Sequence, residues 1–406
     1  MGQYIVNSIR FVVTQSIYFI AALFPRTQKA VMGSYKNKFA DNSKYLYLHW
    51  QQAKTIRSIW ISGDKDVIAQ LTIQGYEAYY RWSIKGIFHA LTAKYYVYNS
   101  YIGDVNQYFA NGAVKINLWH GSPLKRIEYD INNGPLFSVY HPQSLHQKFV
   151  SVTQYHQQRI APDYMIAPSD LVSALFATAF HISEHHMLLS GNPRTDFYQR
   201  YPKSTSIIQT LKQNKNVSQV LLYAPSWRDS GIAGDRETRT NPYLQAINFE
   251  SLSEALVYNK QLLLLRLHPN EADLANDISH YPNIINISDW QDTYEIINDV
   301  DLLITDYSSL YIDMLQTRAD IVFFQFDHQE YQADSRQCYP YAESLPMAGE
   351  VIFEFDVLLK YLHTMGESPN IASLTHKKNR AELTQLYWQY QHIESFTVLD
   401  NLVSQS

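Results

Sequence analysis

Four polar clusters each follow an apolar run. His120-Gly121-Ser122-Pro123 comes after INLW, and Pro225-Ser226-Trp227-Arg228 after VLLYA. Arg266-Leu267-His268-Pro269 closes LLLL, and Asp306-Tyr307-Ser308-Ser309 follows LLIT. A histidine that is neutral near pH 7 can take a proton from a hydroxyl. Arg228 and Arg266 carry forked donors that match phosphate oxygens, and GNPR at 191–194 adds Arg194 after a turn. Ser308 and Ser309 stand where a helix is expected to begin, so backbone N–H groups and hydroxyls could hold an anion there. Asp313 lies one helical turn beyond Ser309, on the same face. Together these residues suit a phosphorylated ligand of the nucleotide diphosphate type. Each has a plainer use when taken alone: Gly121 and Pro123 make turns, and arginines make surface ion pairs. Their shared position favours a site, because open parallel sheets bind ligands outside the carboxyl ends of their strands.

Several other chemistries lose their usual marks. The chain has neither a P-loop nor a G-x-G-x-x-G fingerprint. Its single cysteine, Cys338, excludes an internal disulfide and fits a reducing compartment. HISEHH at 181–186 has histidines but no matching third-ligand spacing, and DVD at 299–301 precedes its strand, so no metal or other cofactor is expected.

The elements that must position the four clusters alternate between strand and helix. RSIWIS (57–62), a short run at 76–80, KYYVYNS (94–100), AVKINLWH (113–120) and DYMIAPS (163–169) read as strands, with LVSALFATAF as the helix behind the last. A polar, turn-rich stretch between Arg200 and Gln219 separates a second series: VLLYAPS (220–226), QLLLLRLHP (261–269), NIINIS (283–288), DLLITDYSS (301–309) and ADIVFFQF (319–326). Nearly continuous apolar runs are what strands covered on both faces require. With 406 residues the chain is too long for one ordinary core. The expected fold is therefore α/β, two Rossmann-like domains facing a cleft. The expected divisions are 1–38 as a basic leading segment, 39–205 as the first domain, and 206–406 as the second with a C-terminal amphipathic helix over 374–403.

The net charge of −5 is unevenly spread. Residues 1–60 hold eight bases against one acid, a balance of +7, which leaves −12 on the rest. A basic head points to an anionic partner; no nucleic-acid-binding motif accompanies it. Residues 11–25 form an uncharged run of 15, short of the roughly 20 needed to span a bilayer, and no A-x-A cleavage site follows. Gln3, Asn7, Arg10 and Thr14 make one polar stripe on an otherwise apolar helix. That pattern suits a helix lying in the membrane interface; the alternative is a helix docked on the protein's own core. Arg10, Arg26, Lys29, Lys36 and Lys38 are expected near anionic head groups.

LWHGSPLK, LLYAPSWRD, LLRLHP and LLITDYSSLYIDML, in this order, resemble the CDP-glycerol glycerophosphotransferase family of teichoic-acid polymerases and primases. FADNSKYLY (39–47) and WISGDKD (60–66) add to the likeness, which runs from Phe39 to Phe326. The resemblance implies a GT-B-like fold, peripheral attachment to the cytoplasmic side of the cell membrane, and transfer without a metal. It implies a CDP-glycerol or other CDP-polyol donor and a lipid-linked polymer acceptor, in teichoic-acid or capsule synthesis. By motif, His120 matches the family's catalytic base and His268 the histidine at the donor phosphates. His120, Gly121, Ser122, Pro123, Leu124, Arg194, Pro225, Ser226, Arg266, Ser308, Ser309 and Asp313 match donor-binding positions. Arg228 and Leu267 join that set by adjacency. A glycosyltransferase using a nucleotide sugar and a non-catalytic phosphopolymer-binding module stay open, as do primase against polymerase and glycerol against ribitol.

Overall fold

Two parallel sheets carry the chain in a computed structural model, which describes residues 2–134, 136–203, 206–226, 242–267, 278, 280–334, 337–368 and 372–405. The first sheet has the order β3-β2-β1-β4-β5-β6-β7. Its strands are β1 Thr27–Met32, β2 Arg57–Ser62, β3 Ala78–Tyr80, β4 Ala93–Tyr98, β5 Val114–Asn117, β6 Tyr164–Ala167 and β7 Met187–Leu189. Val31 sits opposite Ile59 on one side and Tyr96 on the other, and all three are buried in one apolar cluster. The strand order reverses between β1 and β4. There Gly33 N–H reaches Val97 O at 3.1 Å, and a Cβ on Gly33 would meet Asp104 O at 2.4 Å, so the crossing admits no side chain.

The second sheet has the order β10-β9-β8-β11-β12-β13. It is built from β8 Gln219–Tyr223, β9 Gln261–Leu265, β10 Ile284–Asn286, β11 Leu302–Thr305, β12 Asp320–Phe324 and β13 Glu350–Ile352. Every pairing is parallel, and the inward residues Leu221, Leu263, Leu302 and Val322 share one core. The order reverses between β8 and β11, which again makes a switch point at the strands' carboxyl ends.

The chain divides into two compact units, Met1–Pro202 with Tyr387–Ser406, and Lys203–Leu386. This differs from the expected division at both ends. Residues 1–38 are not a separate segment, because β1 is a central strand of the first sheet. Its sequence TQKAVM hides a strand behind a lysine: Lys29 is buried, with Nζ 3.2 Å from His89 Nδ1, 2.7 Å from Thr92 Oγ1 and over the Phe88 ring. At the other end the expected long helix is two, Leu374–Tyr387 and Ser395–Gln405. The break returns the chain to the first unit, where Asp196 accepts from Ser395 N–H at 2.8 Å and Asp400 accepts from Trp50 Nε1 at 2.8 Å.

The leading helix α1, Gly2–Ala21, packs on helix Leu145–Gln154. Its inward residues are Asn7, Thr14 and Ala21, while Ile5, Val6, Ile9, Val12, Val13, Phe19 and Ile20 are exposed. Of the polar stripe, Asn7 and Thr14 face the protein while Arg10 is exposed beside the outward apolar residues. Among the described residues no helix is long and apolar enough to cross a membrane. Arg26 does not reach outward as expected. Its guanidinium donates to Ala90 O at 2.8 Å, Ala93 O at 3.1 Å and Phe109 O at 2.8 Å, and also to Asn111 O, tying the exit of α1 to the first sheet.

Candidate active site

β5 ends at Asn117, and the next four residues set the geometry of the loop that carries His120. Trp119 has φ +47° and Gly121 φ +146°, so a tryptophan is held in the left-handed region just before the histidine. Such a residue costs on the order of 1–3 kcal/mol unless its surroundings impose the conformation. Asn117 Oδ1 accepts from Trp119 N–H at 2.9 Å, and Asn42 Nδ2 donates to Leu118 O at 3.1 Å and Trp119 O at 2.9 Å. The indole packs edge-on against Phe180, with ring centroids 4.8 Å apart. The loop is thereby fixed on the backbone side, while His120 as a residue stays accessible to solvent.

His120 Nδ1 lies 2.9 Å from the backbone oxygen of Asn99. A carbonyl can only accept, so Nδ1 carries the hydrogen and Nε2 keeps its lone pair. Asn99 is itself fully buried: its Oδ1 accepts from Ser43 N–H at 2.9 Å and Ser43 Oγ at 2.8 Å, and its Nδ2 donates to Ser34 Oγ at 3.0 Å. Desolvation lowers the His120 pKa from its usual value, opposed by the Asn99 carbonyl and Asp41 and reinforced by Arg194. The ring is therefore neutral at pH 7, with the tautomer a base needs. Arg194 is 1 % exposed and pairs with Asp41 Oδ1 at 2.7 Å; its N–H donates to Asn42 Oδ1 at 3.1 Å.

A second cluster, in the other unit, collects at the ends of β9, β8 and β11, which are neighbours in that order. Asp306, buried, accepts from Ser226 N–H at 2.7 Å and from Tyr307 N–H, and Thr305 Oγ1 donates to Ala224 O at 2.7 Å. These bonds bind the Pro225-Ser226 turn to the Tyr307-Ser308-Ser309 turn. Arg266 is half-buried; Nη1 donates to Ile287 O at 3.3 Å and Trp290 O at 3.2 Å, and burial lowers its pKa. Leu267 N–H is held by Ser288 Oγ at 2.9 Å. The expected helix after Ser309 is short, Leu310–Met314, and Ser309 makes no side-chain cap; Ser308 Oγ accepts from Leu310 N–H at 3.3 Å instead. Asp313, buried in that helix, accepts from Tyr294 OH at 2.7 Å. Among the described residues no group of three His, Cys, Asp or Glu side chains gathers as a metal site.

Residues 16–403 match the family described as CDP-Glycerol:Poly(glycerophosphate) glycerophosphotransferase. The chain belongs to this family. It is 27% identical over 375 residues to the teichoic acid glycerol-phosphate transferase of Staphylococcus aureus, covering 90% of this chain and 91% of that one. It is 26% identical over 337 residues to the teichoic acid poly(glycerol phosphate) polymerase of Bacillus spizizenii, covering 80% of each. The solved structure of the wall teichoic acid polymerase TagF has the same fold, with a TM-score of 0.75 at 19% identity, covering 100% of this chain and 98% of that one.

Within this glycerophosphotransferase-family chain the expected residues fall into two groups. His120, Gly121, Ser122, Pro123 and Leu124 share the first unit with Arg194, while Pro225, Ser226, Arg266, Leu267, Ser308, Ser309 and Asp313 stand in the second. Arg228 and His268 lie outside the described residues. Asp41, Asn42 and Asn99 were not among the expected site residues, although they hold His120 and its loop. FADNSKYLY contains the first two, and Asn99 closes the run KYYVYN; a buried asparagine leaves no periodic trace by which to find it. Asp306→Ala should leave Ser226 and Tyr307 N–H without an acceptor, at about 1–3 kcal/mol of stability. CMP binding should weaken at least tenfold, whereas Asp306→Asn, which keeps one acceptor oxygen, should recover most of it. Urea melts and calorimetric titration with CMP read the two effects.

Proposed function

We propose that the protein transfers glycerol phosphate, or a related polyol phosphate, from a CDP-activated donor to a hydroxyl of a membrane-linked acceptor, as a step in teichoic-acid-type polymer synthesis. The observation that carries the reading is His120, whose Nδ1 is committed to Asn99 O at 2.9 Å and whose Nε2 is left basic. Nε2 removes the acceptor's hydroxyl proton as the oxygen attacks the donor's β-phosphorus. The bond from that phosphorus to the bridging oxygen breaks, and CMP leaves with the oxygen. A phosphodiester is formed. The imidazolium that results is stabilised by the Asn99 carbonyl and by Asp41.

The loops at the ends of β8, β9 and β11 suit the donor: Ser226, Ser308 and Ser309 offer hydroxyls, and Arg266 and the sequence neighbours Arg228 and His268 offer cationic or neutral donors to phosphate. The finer reading is a GT-B-type pair in which the base of the first unit acts on a donor held by the second. Transfer is proposed to proceed without a divalent metal, and turnover is then expected to persist in EDTA.

The outward apolar face of α1 supports peripheral attachment to the cytoplasmic leaflet, where a lipid-linked acceptor resides. CMP release with a panel of CDP-glycerol, CDP-ribitol and UDP-sugars, in the presence of a lipid-linked acceptor, tests the assignment. Release from a CDP-alcohol is expected; turnover of a UDP-sugar without any CDP-alcohol would move the protein among the glycosyltransferases.

A further inference from the structure

A pocket of about 200 Å³ lies in the first unit behind the His120 loop. Part of its lining supports that loop. Asn117 holds Trp119 N–H, Phe180 packs on the Trp119 indole, and Ser100 follows the asparagine that orients His120. Its far wall is the turn His156–Arg159, which supplies Gln157 and Gln158. That turn is braced by α1, since Tyr18 packs edge-on against His156 with centroids 5.3 Å apart.

The lining chemistry narrows the occupant. Glu128 is buried at φ +49° and accepts from Tyr101 OH at 2.6 Å and from Tyr140 OH, so its carboxylate is fixed in place. Gln158 Oε1 is buried and has no hydrogen-bond partner in the protein. A buried acceptor of this kind is stabilised by a ligand hydroxyl. His181 stacks on Tyr129, centroids 4.0 Å apart, giving an apolar ring face beside these polar groups. Arg159 donates to Ser151 Oγ at 2.6 Å, and the lining holds one carboxylate, Glu128, for this one guanidinium, so the pocket lacks the cation excess that phosphate requires. The volume is below the ~300–1,000 Å³ of sites for larger ligands, which suits one sugar ring or one short polyol rather than a nucleotide.

We propose that this pocket binds one neutral polyhydroxyl residue of the acceptor, next to the residue whose hydroxyl reaches His120. The proposal rests on the transferase reading and extends it to the acceptor. Saturation-transfer NMR on the full chain with glycerol, ribitol, N-acetylglucosamine and glycerol 3-phosphate tests the ligand class. Ala161 lies on the pocket rim and is exposed, so Ala161→Trp can obstruct the opening without disturbing the core. Gln158→Leu removes the buried acceptor.

At least one neutral compound should bind more strongly than glycerol 3-phosphate. Its signal should vanish in Ala161→Trp and weaken in Gln158→Leu. With lipid-linked acceptor, KM for the acceptor should rise tenfold or more in both variants while KM for CDP-glycerol holds. No binding by any neutral compound, or binding and acceptor KM unchanged in both variants, overturns the proposal. Failure of the transferase reading would show separately, as no CMP release by the wild-type protein, and would overturn the assignment to an acceptor.

Discussion

His120→Ala is expected to lower kcat about a hundredfold to ten-thousandfold, the range typical of losing a general base. Donor binding should persist, because the histidine's hydrogen bond runs to Asn99 O and the loops proposed to hold the donor belong to the other sheet. The pH profile gives a second readout. Burial lowers the His120 pKa below its usual 6.5, so the base form is present at neutral pH and is lost only as pH falls through that depressed value. The acid limb of kcat/KM should therefore lie below pH 6.5 and should be absent from the residual activity of the variant. Replacing Asn99 by leucine should act through the same atom, since a displaced carbonyl no longer selects the tautomer. Steady-state kinetics with CDP-glycerol decide the matter. Near-wild-type turnover by His120→Ala would return the motif to a turn.

The parts of this arrangement differ in how well the sequence reveals them. Strands buried on both faces leave continuous apolar runs, so RSIWIS matches β2, Arg57–Ser62, residue for residue, and LLLL and LLIT lie within β9 and β11. The polar residues that end those strands were legible for the same reason: a sudden change of type after an apolar run marks a carboxyl end. β1 was not legible, because Lys29 interrupts its pattern and finds its partners, His89 and Thr92, about sixty residues away. Nor was the double break that sends residues 387–406 back to the first unit, which depends on Asp196 and Trp50 receiving the last helix. The supports of His120 share that character. Asn42 and Asn99 act through hydrogen bonds to residues 21 to 152 positions distant, and no local spacing encodes such partners. DVD could be read correctly from position alone: Asp301 accepts from Val220 N–H at 2.7 Å and pairs with Lys212 at 2.8 Å, a structural use at the amino ends of the strands.

Placing glutamates on the outer face of α1 should release the protein from anionic vesicles. The face holds Ile9 at 58 %, Val13 at 51 % and Ile20 at 53 % exposure, and continues at the helix exit with Leu23 at 82 %. Arg26 ties that exit to helix Ile84–Thr92, whose Ile84 and Phe88 are also exposed, so the apolar surface has a second element. Burying each such side chain in the interface contributes about 1.5 kcal/mol at the low end of the range for full burial. Ile9→Glu, Val13→Glu and Ile20→Glu together therefore remove about 4–5 kcal/mol, roughly a thousandfold in partitioning, before charge repulsion is counted. Deleting residues 1–30 is the wrong test, because it removes most of β1 and so breaks the first sheet between β2 and β4. The substitutions avoid this: the residues that seat α1 are Asn7, Thr14 and Ala21, on the opposite side. Arg26 and Lys29 are engaged within the protein, which leaves Arg10 and Lys36 among the exposed cations of the head. Attachment should consequently depend more on burial than on charge and survive moderate salt. Vesicle co-sedimentation, with CMP binding as the check on folding, measures both effects. Binding unchanged in the triple variant would mean that the outward face of α1 is covered by something other than lipid.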